Sequence, residues 1–130
     1  MIQYSVKLGV YSKVHSAEDI NKILNLNYDQ CWVMGMPRSA RSSIMKFAQH
    51  AWFIVSDTSN QVSLDVQIKN IFDKIKPSID KFKQLHKESE IYFNCVIEGD
   101  ENPEMNFPKE VIQLINSIQA SLDVDMFIAK

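Results

Sequence analysis

Glycine is scarce in this chain of 130 residues: Gly9, Gly35 and Gly99 are the three present, too scattered to form a phosphate-cradling loop. Such a loop needs glycines, because a side chain would block the close approach of backbone to anion. Nucleotide binding of the common kinds is therefore not expected. Four prolines beside so few glycines also exclude collagen-like and linker-like chains. The longest uninterrupted apolar run is Ala51-Trp52-Phe53-Ile54-Val55, far short of the roughly 20 residues that cross a bilayer. No membrane partner is expected. Cysteine is equally sparse, with only Cys31 and Cys95, each inside an apolar stretch. A disulfide between them is open, but a chain that is 45% hydrophobic does not need one to hold a core. The reading is two reduced, core-facing thiols in a cytoplasmic protein. Met1-Ile2-Gln3-Tyr4-Ser5-Val6-Lys7 lacks the basic start and long apolar block of a secretory leader.

Neither sign of charge dominates. The formal net charge is −2 and the pI is near 5.9, so nothing pulls the chain as a whole toward nucleic acid. The charge is nevertheless lopsided. Residues 1–50 carry six Lys or Arg against three acids, residues 51–90 carry six against six, and residues 91–130 carry two against seven. The C-terminal third therefore hints at an acidic patch.

The pattern of apolar residues gives the architecture. Tyr4, Val6, Leu8 and Val10 alternate with polar or small neighbours, as in a half-buried strand. Ser16, with Asp19 three residues on, resembles a capping box opening a helix over residues 17–26, with residues 25–29 as its exit. Residues 31–36 read as a second strand ended by Pro37, residues 38–50 as a loop or strand-loop excursion, and residues 52–56 as a third strand. Asp57-Thr58-Ser59-Asn60 is a turn by composition. Leu64, Ile68, Ile71, Phe72, Ile75, Ile79, Phe82 and Leu85 then form a helical stripe. Pro77 lies inside it, so the stretch reads as two consecutive helices or one kinked helix. Residues 91–97 form a strand, Glu98 to Glu104 an acidic loop, and Pro108 opens a helix carrying Val111, Ile112, Leu114, Ile115 and Ile118. Leu122, Val124, Met126 and Ile128 mark a last strand. The order β-α-β-β-α-β-α-β predicts one α+β domain over residues 1–130: two layers, a mostly antiparallel sheet with helices packed on one face.

From Trp52 onward the chain resembles the uncharacterised bacterial family called domain of unknown function (DUF) 4279. The resembling segments are Trp52-Phe53-Ile54-Val55-Ser56, Ser63-Leu64-Asp65-Val66-Gln67-Ile68 and Ile75-Lys76-Pro77. Ile91-Tyr92-Phe93-Asn94-Cys95-Val96-Ile97 and the closing Ser121-Leu122-Asp123-Val124-Asp125-Met126-Phe127 complete them. Residues 28–50 depart from the pattern, lacking a clear Gly-centred segment before the Trp strand. The resemblance implies a fold and carries no reaction with it.

Few side chains are arranged for bond chemistry. His15, His50 and His86 stand apart, and neither cysteine has a thiol partner at ligand spacing, so no metal or other cofactor is expected. The acids at 98–104 lack the regular spacing and closing Glu of a calcium loop. Ser39, Ser42 and Ser43 sit in a polar stretch with no Gly-x-Ser-x-Gly elbow. Arg38, Arg41 and Lys46 make a thin phosphate footprint without a basic helix or stacking rings, and read as a solvated loop. Trp32 and Trp52 read as core.

Asp123 and Asp125 are the most suggestive pair, because a strand points both to one face about 7 Å apart. Paired carboxylates suit acid-base work; on an edge strand they equally discourage aggregation. The leading expectation is a non-catalytic protein-binding domain, most concretely an immunity-type protein that neutralises a cationic toxin or nuclease. Glu98, Asp100, Glu101 and Glu104 are its candidate contacts, with Asp123 and Asp125 second. The competing expectation is a small-molecule-binding or enzymatic domain, with Asp123 and Asp125 at the mouth of a pocket between sheet and helices. A third is dimerisation through edge strands.

Overall fold

The computed structural model describes the backbone of residues 1–39 and 42–129 and the side chains of residues 1–38 and 47–129. Twelve elements follow in order: β1 Gln3–Ser12, α1 Ala17–Leu24, β2 Gln30–Trp32, β3 Pro37–Ser39, β4 Ser42–Lys46, β5 His50–Val55, α2 Leu64–Ile75, a 3-10 turn Lys76–Ser78, α3 Ile79–Leu85, β6 Glu90–Gly99, α4 Lys109–Ser117 and β7 Ser121–Ile128. Five strands form one mixed sheet in the order β2-β5-β1-β6-β7. The β2/β5, β5/β1 and β1/β6 pairs are antiparallel, whereas β6 and β7 run parallel. A parallel pair needs a crossover, and residues 100–120, with α4, provide it.

The predicted two-layer α+β arrangement is what the chain adopts. The alternation in β1 sends Tyr4, Val6, Leu8 and Val10 to one face, joined there by Trp52 and Ile54 of β5 and by Ile91, Phe93, Cys95 and Ile97 of β6. Ala17, Ile20 and Leu24 of α1, the α2–α3 stripe and Val111, Ile115 and Ile118 close over that face in a single core. Two buried polar side chains are paired with backbone carbonyls. Gln67 of α2 donates to the carbonyls of Tyr4 and Val62, each at 2.8 Å, and Ser78 Oγ donates to the Leu24 carbonyl at 2.6 Å.

Local signals account for most boundaries. Ser16 and Asp19 form the capping box from both sides, and Asn25 ends α1 in the left-handed conformation. Pro77 sits in the 3-10 turn between α2 and α3, where its missing N–H breaks the helical ladder. The strand expected over residues 31–36 stops at Trp32. Met36 N–H bonds back to the Val33 carbonyl at 3.1 Å, and Gly35 takes φ +86 at the third position of that turn. The stretch after Pro37, expected as a loop or strand-loop excursion, holds the two-stranded ribbon β3–β4. The sequences of its strands, Pro37-Arg38-Ser39 and Ser42-Ser43-Ile44-Met45-Lys46, carry no period-2 apolar alternation to mark them.

The cysteines are separated, not bridged. Cys31 lies on β2 and Cys95 on β6, three strand spacings apart, on the order of 14 Å, and both thiols are free. A disulfide tolerates at most about 7 Å between Cα atoms. Cys95 is in the core as expected; Cys31 is only half-buried.

Candidate functional site

Among the described residues no helix covers the other face of the sheet, and the register decides what stands on it. Opposite the core positions, β1 presents Gln3, Ser5, Lys7, Gly9 and Tyr11; β5 presents Ala51, Phe53 and Val55; β6 presents Glu90, Tyr92, Asn94, Val96 and Glu98. The parallel register aligns Ser121 with Tyr92, Asp123 with Asn94, Asp125 with Val96 and Phe127 with Glu98, which brings those β7 residues to the same face. Trp32 of β2 joins opposite Ala51.

This face divides into two halves. Over β2, β5 and β1 lies a small aromatic layer. Trp32 stacks on Phe47 with centroids 4.6 Å apart, and Tyr11 meets Trp32, Phe53 and Tyr92 edge to face at 5.6–5.8 Å. Phe53 is fully buried by it, and Lys7 Nζ sits 4.4 Å above the Phe53 ring. Trp32, expected in the core, is thus a half-buried member of this second layer, whereas Trp52 is in the core. Over β6 and β7 stand Glu90, Glu98, Asp123 and Asp125, and neither strand contains a Lys or Arg. Phe127 is 63% exposed among them.

Where the halves meet there is a depression of about 250 Å³ lined by Tyr11, Gln49, Glu90, Tyr92, Asn94 and Asp123. Asn94 donates to Tyr11 Oη at 2.8 Å. Burial pushes the Tyr11 phenol above its ordinary range, against the opposing effect of the Asn94 hydrogen bond. Tyr11, Gln49, Glu90, Tyr92 and Asn94 were not anticipated as site residues. For Tyr11, Glu90, Tyr92 and Asn94 the one signal in the sequence was their placement at strand positions out of phase with the core, whereas Gln49 lies just before β5.

The six anticipated acids part company. Glu98, Asp123 and Asp125 share the helix-free face. Asp100 forms an ion pair with the Met1 amino group, and Glu101 lies 3.5 Å from the same nitrogen. That hydrogen bond holds the Asp100 carboxyl below its usual range. Glu104 is exposed and is tied in through its backbone N–H, which donates to Tyr4 Oη at 2.9 Å. The pocket expected between sheet and helices is not where the carboxylates are. Asp123 borders a hollow on the opposite face, because β7 continues the phase of Asn94 and Val96.

The remaining candidates stay scattered. His15 Nε2 is 2.9 Å from Glu88, and His50 Nδ1 accepts the Met34 N–H at 3.1 Å. Among the described residues no group of three or more His, Cys, Asp or Glu could hold a metal ion. No described helix is long and apolar enough to cross a membrane. Arg38 is exposed and borders a hollow with Trp32 and Phe47. Arg41 and the side chains of Ser39, Ser42, Ser43 and Lys46 lie outside the described residues.

The family model described as "Domain of unknown function (DUF4279)" matches residues 2–128, so the chain belongs to that family. The match runs through residues 28–50, the stretch that lacks a clear Gly-centred segment before the Trp strand. No curated protein and no solved structure matches the chain.

Proposed function

We propose that this member of the DUF4279 family is a non-catalytic protein-binding domain whose helix-free sheet face captures a cationic partner. Its most concrete form is a cytoplasmic immunity-type protein that occupies the basic surface of a toxin or nuclease. The observation that carries the reading is the β6–β7 half of that face. Glu90, Glu98, Asp123 and Asp125 stand there on two strands without a single Lys or Arg, beside the exposed Phe127. Same-sign charge on a rigid sheet speeds encounter with an oppositely charged partner and penalises wrong ones. An exposed aromatic ring among the acids supplies the apolar contact that charge alone lacks.

The acids of the 100–104 loop recede in this reading, since Asp100 and Glu101 already face the Met1 amino group. A second reading, a small-molecule site, is favoured by the depression at Tyr11 and Tyr92.

The test compares three baits in extracts of the native host at low salt: wild type, the face variant E98K/D123K/D125K and the loop variant D100K/E101K/E104K. Wild type and the loop variant are expected to retain one basic protein that the face variant loses. Co-production of wild type is expected to relieve that protein's toxicity. Equal capture by the face variant, or a captured protein whose activity the chain leaves untouched, overturns the proposal.

A further inference from the structure

We infer that the depression between Tyr11, Tyr92 and Asp123 is a receptor for an arginine side chain of the partner protein, a step that rests on the protein-binding reading above. Its wall residues match a guanidinium group by group. Tyr11 and Tyr92 meet edge to face with centroids 5.8 Å apart and line the hollow; aromatic rings attract a cation through their electron-rich faces. Asp123 and Glu90 line it as well, and carboxylates accept the forked N–H donors of a guanidinium. Gln49 and Asn94 add neutral amides, and Asn94 is already engaged with Tyr11.

Among the described residues no cationic side chain lines the hollow. Lys7, the cation nearest in register, is drawn away over Phe53 on the other side of β1. Lys13 and Lys87 line the adjoining hollow, which shares Tyr11, Gln49 and Glu90 with this one. Arginine is favoured over lysine because a planar, weakly hydrated cation both lies against rings and offers forked donors to a carboxylate.

The probe is Nα-acetyl-arginine methylamide, titrated into the ¹⁵N-labelled full chain and followed by amide chemical shifts. The uncharged citrulline analogue serves as control. Saturable shifts confined to Tyr92, Asn94, Asp123 and their neighbours are expected with arginine and absent with citrulline. D123N and E90Q should each weaken the titration about fivefold, the factor one exposed ion pair supplies. Tyr92→Leu, which keeps both carboxylates, should weaken it comparably. The inference is overturned by equal shifts with citrulline, by no saturable shift, or by shifts of equal size at the Asp100–Glu104 loop. If the arginine probe fails while the face variant still loses its protein partner, the receptor alone is refuted. If the probe binds and no basic partner is captured, the protein-binding reading alone is refuted.

Discussion

Replacing Gly9 with alanine turns the aromatic layer into a question of sign. Gly9 lies in the middle of β1, the central strand, and points to the helix-free face. A Cβ built there falls 2.9 Å from Phe53 Cε1, Tyr11 Cε2 and Tyr11 Oη. Neither ring moves freely. Phe53 is fully buried, and Tyr11 is held against Trp32, Phe53 and Tyr92 and by the hydrogen bond from Asn94. Overpacking of this kind costs about 1–3 kcal/mol. Against it stands the entropy that glycine loses in a strand, which favours alanine by about 0.5–1 kcal/mol. The net expectation is a loss of about 1–2 kcal/mol, or a melting temperature lower by roughly 5–10 °C in a domain of this size. Without the collision, the entropy alone would raise it by a few degrees. The assay is thermal unfolding by far-ultraviolet circular dichroism, with the near-ultraviolet signal reporting the rings. In a Tyr11→Leu background the same substitution should cost less, with a coupling of at least about 0.5 kcal/mol. An unchanged or higher melting temperature for Gly9→Ala, with an unaltered near-ultraviolet spectrum, would refute the claim that the rings seat on that glycine.

Other outcomes follow from particular contacts. Asn21 Oδ1 accepts both the Trp52 indole N–H at 2.7 Å and the Tyr28 N–H at 2.9 Å, so Asn21→Ala strands two donors and should cost about 1–3 kcal/mol in denaturant titration. Ser16→Ala removes one arm of the capping box of α1 and should cost about 1 kcal/mol by the same measurement. Burial, with the Asp123 charge adding to it, pushes the Cys95 thiol up to about 12. At pH 8 the thiol is therefore protonated as well as inaccessible. A Cys31→Ser protein should leave an aromatic disulfide reagent unconsumed while folded and react fully in denaturant; prompt reaction of the folded variant would contradict the core placement of Cys95.

The layout of the fold was legible because its signals are local. The α2–α3 stripe, the Ser16–Asp19 cap and the break at Pro77 each depend on residues within a few positions of one another. The β3–β4 ribbon was legible only as a loop or strand-loop excursion because its sequence carries no period-2 apolar alternation, and β2 ends early because one glycine in a turn overrides an otherwise strand-like run. The site was legible only in part, for the same physical reason. Asp123 and Asp125 are two apart on one strand, so their common face is a local fact. Their neighbours come from a register across β6 and β7 that the crossover through α4 sets. Nothing in the sequence near Glu98 announces that Phe127 stands opposite it, or that Asp100 meets the first residue of the chain.

That non-local assembly also explains why the acids lie where they do. The β7 edge, with no strand pairing its outer side among the described residues, is the place where a sheet most readily recruits another chain. A second copy meeting it antiparallel would bring Asp123 and Asp125 of one strand near those of the other, and like charges directly opposite destabilise a strand pair. The same two carboxylates that disfavour self-pairing are the ones a basic partner would neutralise on this face. Protection of the edge and preference for a cation are therefore consequences of one placement. Converting Asp123 and Asp125 to asparagine should both weaken capture of the basic partner and raise the tendency to self-associate, read by light scattering as a function of concentration. A D123N/D125N protein that remains monomeric at every concentration where wild type does, yet has lost the partner, would separate the two roles and leave edge protection to the strand's other residues.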